Sequence, residues 1–103
     1  MKSFKLIYFS HDFGDYAVCA AVISDGTNKF IVPQLREKDE YYFNEEEGCI
    51  EIHDDIKRFI VPNDIIKVDL VEWSDYYDDY YITAENSDGE SIDFSLSGKI
   101  LES

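Results

Sequence analysis

Residues 79–96 alternate between apolar and polar side chains on both sides of a turn signal, and this pattern most limits the folds open to the chain. Tyr80, Ile82 and Ala84 fall on one face of the first segment, with Tyr81, Thr83 and Glu85 on the other. Asn86-Ser87-Asp88-Gly89 reverses the chain, and Glu90 to Leu96 sets Ile92, Phe94 and Leu96 against Ser91, Asp93 and Ser95. A period of two belongs to a strand with one buried face; a helix would scatter the same residues around its circumference. The pattern predicts a β-hairpin with Tyr80, Ile82, Ala84, Ile92, Phe94 and Leu96 inward.

The remaining segments read in the same key. Phe4 to Phe9 is a strand with partial alternation, followed by a polar turn from His11 to Tyr16 around Gly14. Ala17 to Ser24 is a continuous apolar run, as expected of a central strand buried on both faces. After the turn signal Asp25-Gly26-Thr27-Asn28, Lys29 to Val32 forms a strand expected to stop at Pro33, which has no N–H to donate. Ile65 to Trp73 reads as one strand, with Ile66, Val68 and Leu70 on one face and Lys67 and Asp69 on the other. Leu35 to Glu47 fits a helix ended by Gly48, or a hairpin with Tyr41-Tyr42-Phe43 and Cys49 to His53 as its strands. The aromatic cluster and the Ile50/Ile52 alternation favour the hairpin. Asp54 to Phe59 fits one short helical turn capped by Asp54.

The expected fold is a single mostly-β domain over 1–103. It is a β-sandwich or partly open barrel of antiparallel hairpins, with about six to eight strands and at most one short helix. The alternative is an α+β arrangement with a helix near 35–47. Lys29-Phe30-Ile31-Val32-Pro33 recurs as Arg58-Phe59-Ile60-Val61-Pro62. Two buried strands stopped by proline explain this more simply than a duplicated hairpin.

Charge narrows the function. The chain carries 23 acids against 9 bases, a net charge of −14 on 103 residues. With 45% hydrophobic residues it has the material for a core, so the charge does not signal disorder. Lys outnumbers Arg by 7 to 2, which speaks against a halophile and fits an AT-rich genome. The longest apolar run, Ala17 to Ile23, is far short of the ~20 residues a membrane helix needs. Met1-Lys2-Ser3-Phe4 has no signal-peptide core, so a cytoplasmic location is expected. Direct binding to nucleic acid or to an anionic membrane is disfavoured, because both need a basic face. Cys19 and Cys49 are isolated and form neither a disulfide framework nor a zinc motif.

The charge is also localised. Residues 1–34 carry three Lys and three Asp, so the whole −14 lies in 35–103. Asp69, Glu72, Asp75, Asp78, Asp79, Glu85, Asp88, Glu90 and Asp93 follow one another with no base between them. Tyr76, Tyr77, Tyr80 and Tyr81 lie within the same stretch. Tyrosine gives contact area at small entropic cost, and carboxylates pair bidentately with Arg and steer a basic partner. Strand residues i and i+2 lie roughly 6.6 Å apart, so an acidic strand face repeats charge on a scale comparable with successive phosphates. Glu45-Glu46-Glu47 is a second acidic focus. These residues form the candidate partner-binding surface.

Other chemistries have less support. An EF-hand loop needs Gly at its sixth position, and Asn86-Ser87-Asp88-Gly89-Glu90 has it at the fourth, so no metal site is expected. His11-Asp12 and His53-Asp54-Asp55 lie on separate turns, and there is no glycine-rich phosphate loop or serine elbow. No enzymatic activity and no cofactor are expected. Val61-Pro62-Asn63-Asp64-Ile65-Ile66-Lys67-Val68-Asp69-Leu70 resembles a strand–turn–strand segment of PH-like and GRAM-like domains, without the basic residues such domains use for phosphoinositides. In size and charge, residues 35–103 resemble the small acidic inhibitors of phage anti-defence systems, anti-CRISPR proteins and other DNA mimics. That resemblance implies a stoichiometric inhibitor on the basic nucleic-acid channel of a nuclease or effector. Two alternatives remain: an immunity protein neutralising a basic nuclease toxin, and a PH-like or small β-barrel module whose charge serves solubility.

Overall fold

The computed structural model describes residues 2–11, 18–36, 41–44 and 46–101. It is all-β, with two antiparallel sheets that do not close into a barrel. Eleven strands are described: β1 (Lys2–His11), β2 (Val18–Ser24), β3 (Lys29–Arg36), β4 (Tyr41–Asn44), β5 (Cys49–Ile52), β6 (Phe59–Val61), β7 (Ile65–Val68), β8 (Glu72–Ser74), β9 (Asp79–Asn86), β10 (Ser91–Ser95) and β11 (Ile100–Leu101). This exceeds the six to eight expected, because β6, β8 and β11 are only two or three residues long and one expected strand is split. The six-stranded sheet runs β4-β5-β1-β2-β3-β6. The second runs β11-β10-β9-β7, with β8 also on β9. Among the described residues no helix is long and apolar enough to cross a membrane.

β2 has both faces buried, as its unbroken apolar run predicts. Ala20 and Val22 join Ile31, Phe59, Val61, Ile65, Val68, Ile82, Ala84 and Phe94 in a core between the sheets. Cys19, Ala21 and Ile23 point the other way, into a second core with Phe4, Val32, Leu35, Ile50 and Ile52, all from the six-stranded sheet. The partial alternation of β1 has a cause. Leu6 pairs with Ile23 and Tyr8 with Val22, which leaves Ile7 as an extra residue in the ladder. A bulge of this kind switches the faces, so Leu6 and Phe9 pack on the second core while Ile7 and Tyr8 pack on the first.

Bulges also explain where the sequence pattern misleads. β3 does not stop at Pro33. Cys19 pairs with Leu35 and Ala21 with Val32, so Pro33 and Gln34 together face Ala20, and the proline sits where no ladder N–H is required. The single strand expected over Ile65 to Trp73 is two strands. Ile65 pairs with Asn86 and Lys67 with Glu85, so Ile66 is the extra residue. Ile65 and Val68 are therefore buried, and Ile66 is exposed. The ladder breaks over 69–71 and resumes at β8.

The hairpin reading of 41–53 holds, and the helix alternative near 35–47 does not. Leu35 and Arg36 lie in β3, Tyr41–Asn44 is β4, and β4 pairs with β5. Residues 37–40 and 45 lie outside the described residues, as does most of the turn expected around Gly14. The helical turn expected over Asp54 to Phe59 is a plain turn closed by Ile56 N–H to His53 C=O at 3.2 Å. The repeated Phe-Ile-Val segments pair with each other, Phe30 opposite Ile60. Phe30 packs on the second core and Phe59 on the first, so the two copies occupy inequivalent places and no duplication is seen.

Turn chemistry fixes the hairpins. Asp25 Oδ1 accepts the N–H of Asn28 at 2.7 Å and of Thr27 at 2.9 Å, which holds its carboxyl below the ordinary aspartate range. The β9–β10 and β10–β11 turns share one design. Asn86 N–H donates to Glu90 C=O and Gly89 N–H to Asn86 C=O; Ser95 N–H donates to Lys99 C=O and Gly98 N–H to Ser95 C=O. This is the three-residue loop that ends in a left-handed residue, here Gly89 (φ 84°) and Gly98 (φ 96°). The two glycines differ in surroundings. A Cβ on Gly89 would meet nothing within 4 Å, whereas one on Gly98 would lie 2.7 Å from Phe59 Cβ.

Candidate functional site

The base-free stretch folds into the long β9 strand and its partners. Ser74 pairs with Asp79, Trp73 with Tyr80 and Glu72 with Tyr81, which leaves Asp75, Tyr76, Tyr77 and Asp78 as a four-residue tip. Tyr77 N–H donates to Ser74 Oγ at 3.2 Å, and Asp78 takes a left-handed φ of 54°. Aspartate tolerates that conformation better than most residues, which accounts for its place there. Residues 72–81 belong to neither core; Tyr81 still pairs with Ser95 of β10, and the ladder beyond it, Trp73–Tyr80 and Ser74–Asp79, runs past the last β9–β10 pair.

Aromatic rings line both sides of this hairpin. On the outer face of the sheet Tyr76 meets Tyr77 edge to face at 5.2 Å, and Tyr77 meets Tyr81 at 5.6 Å. On the other side Trp73 and Tyr80 form a T-shaped pair at 5.1 Å. Alternation alone assigns Tyr80 to the core. It has the core-facing phase but lies past the end of the core, and it is 51% exposed. Trp73, absent from the sequence-derived site, is 50% exposed, and its indole N–H donates to Asp75 Oδ1 at 3.1 Å. Only the loop length, which sets Trp73 opposite Tyr80, would have revealed it.

Carboxylates surround the outer rings. Tyr77 donates its hydroxyl to Asp93 Oδ2 at 2.8 Å, and Thr83 Oγ1 donates to Asp93 Oδ1 at 2.7 Å. Tyr81 donates to Glu72 Oε2 at 3.4 Å. The hydrogen bond to the Asp93 carboxylate, with partial desolvation, pushes the Tyr77 phenol up to about 12. Desolvation first, then the charges of Glu72, Asp93 and Asp69, also push Tyr81 up. Asp93 is thus a half-buried anchor for Tyr77 and Thr83.

An alkaline titration checks this arrangement. Tyr77 is expected to stay protonated until about pH 12. In Asp93→Asn its phenolate should appear about 1–2 pH units earlier, toward the ordinary tyrosine value, as read by phenolate absorbance. Because the folded pKa is raised, the Tyr77–Asp93 contribution to stability is complete below the unfolded pKa near ~10. It is lost as pH rises toward about 12. An unchanged titration in the variant would refute the assigned contact.

The other predicted residues are dispersed. Asp88 lies in the turn at the far end of β9 and Glu90 directly after it, about 24 Å of strand from Asp79. Their backbone N–H groups both donate to Asn86 Oδ1. Glu85 pairs with Ser91 and Lys67 on the outer face, away from the tip. Glu46 and Glu47 lie in the β4–β5 turn of the other sheet, and Glu45 is outside the described residues. That sheet meets the second through β1 and β2 against β7, so the two acidic foci are carried by different sheets. Among the described residues no group of three His, Cys, Asp or Glu could hold a metal ion. Arg58 stacks on Phe4 at 5.1 Å, and Lys57 and Arg58 line a shallow groove that Asp79 borders. No family model, no curated protein and no solved structure matches the chain.

Proposed function

We propose that this protein is an acidic binding protein that docks its β8–β9 hairpin on the basic, nucleic-acid-binding surface of a partner and so excludes nucleic acid. The partner class is a nuclease or effector, and the role is that of a phage anti-defence inhibitor acting by DNA mimicry. One observation carries the reading: the hairpin belongs to neither core and holds Trp73, Tyr76 and Tyr80 at least half exposed, next to Asp75, Asp78 and Asp79. Rigid aromatic anchors inside an acidic rim are what a basic protein surface requires for contact and for steering. The outer face continues the charge through Glu72, Asp69 and Asp93 around Tyr81. Asp88, Glu90 and the β4–β5 turn lie off this surface, where their charge contributes to long-range attraction.

Affinity capture from a bacterial lysate, followed by displacement of labelled duplex DNA from the retained protein, tests the reading. A nucleic-acid-binding protein should be retained at low salt, released at high salt and stripped of its DNA in a one-to-one titration. Retention that ignores salt, or a ternary complex that keeps its DNA, would sink it.

A further inference from the structure

We infer that the Trp73–Tyr80 pair receives an arginine side chain of the basic partner, stacked as a cation on the exposed rings. The inference rests on the function proposed above and names the chemistry selected at the tip. The pair is a docking surface by exposure, with each ring half open to solvent. It is also preorganised. Cross-strand pairing holds the rings at 5.1 Å and 79°, and the indole N–H to Asp75 fixes the plane of Trp73 and sets a carboxylate at its rim.

Charge selects the occupant. Bare aromatic rings would stack a nucleobase equally well, but Asp75, Asp78 and Asp79 repel the phosphates that accompany one. The same carboxylates favour a cation: the stretch from Asp69 to Asp93 holds no Lys or Arg, and the chain's own Lys57 and Arg58 border Asp79 across a groove, whereas Asp75 bonds the indole of Trp73. Tryptophan is the strongest cation–π partner among the side chains. A guanidinium is planar, so it can lie on the indole face while its N–H edge reaches a carboxylate. A lysine ammonium is a compact, strongly hydrated point charge and gains less from the ring. The chain itself already places Arg58 on the ring of Phe4.

Two fluorescein-labelled peptides of equal length and charge, one of Gly-Arg repeats and one of Gly-Lys repeats, test the inference by anisotropy with the intact protein. Trp73, the single tryptophan, reports occupancy through its own emission. The Arg peptide should bind about fivefold more tightly and perturb the indole emission. Trp73→Leu and Tyr80→Ala, each checked for native circular dichroism, should equalise the two peptides while both remain salt-sensitive. Equal affinity of the two peptides for the unmodified protein overturns the inference and leaves the electrostatic docking reading intact. So does a preference that survives both substitutions. The inference also falls if a neutral apolar peptide perturbs Trp73 as strongly, or if the emission change tracks self-association of the protein. Binding of neither charged peptide overturns the inference and the docking reading together.

Discussion

Gly98→Ala is expected to destabilise the fold by about 2–4 kcal/mol, the sum of left-handed strain and overpacking of the inter-sheet core. The strain comes from a φ of 96°, and the overpacking from a Cβ placed 2.7 Å from Phe59 Cβ and 2.8 Å from its Cγ. Phe59 cannot retreat freely, because it packs on Phe94 at 5.5 Å with Val61 and Ile82 in the same cluster. Gly89→Ala supplies the control. It stands at the matching position of the neighbouring hairpin, with φ 84° and nothing within 4 Å of the new Cβ. It should cost only about 1–2 kcal/mol, the strain alone. Thermal unfolding of both variants should separate their midpoints by on the order of 10 °C for a domain of this size. Equal midpoints would mean that the β10–β11 turn does not press on the core.

The combined substitution of Asp75, Asp78 and Asp79 by Asn is expected to slow association with a basic partner by about tenfold or more at low salt, with the difference shrinking as salt rises. The design isolates charge from shape. At position 78 asparagine suits a left-handed φ as well as the native aspartate does. An amide oxygen at 75 still accepts the indole N–H, and one at 79 still accepts the Tyr80 N–H that Asp79 Oδ1 now takes at 2.8 Å. The net charge changes only from −14 to −11, so loss of bulk charge is minor beside loss of charge at the tip. Stopped-flow association at several salt concentrations, with the partner recovered by capture, is the measurement. An unchanged association rate at low salt would show that the tip is not where the partner is first met.

Where the sequence pattern and the fold agree, one rule suffices. The unbroken run through β2 and the alternation of Ile82, Ala84 and Phe94 follow directly from strand geometry and burial. Where they part, an inserted residue or the end of the core is responsible. Ile66 has the composition of a core residue and lies outside because the ladder holds one residue too many there. Pro33 reads as a stop and sits inside a bulge. Tyr80 keeps the inward phase of β9, but alternation carries no information about where the opposing sheet ends. The candidate site was legible as a chemical neighbourhood of tyrosines and aspartates. Its geometry was not, because the sharing of Asp93 between Tyr77 and Thr83, and the Trp73–Tyr80 pair, depend on cross-strand register. For the same reason Asp88 and Glu90, close in sequence, lie at the other end of the strand.

The placement of residues 72–81 outside both cores has an evolutionary consequence. Most substitutions there exchange one solvent-facing side chain for another, and such changes typically shift stability by no more than about 0.5 kcal/mol. The tip can therefore drift in sequence, following a partner that changes its own surface, while β2 and the strands beside it keep the architecture constant. Asp78, with its left-handed backbone, Ser74, which holds the tip from below, and Tyr77, bonded to Asp93, are tied to the shape of the loop and resist such drift.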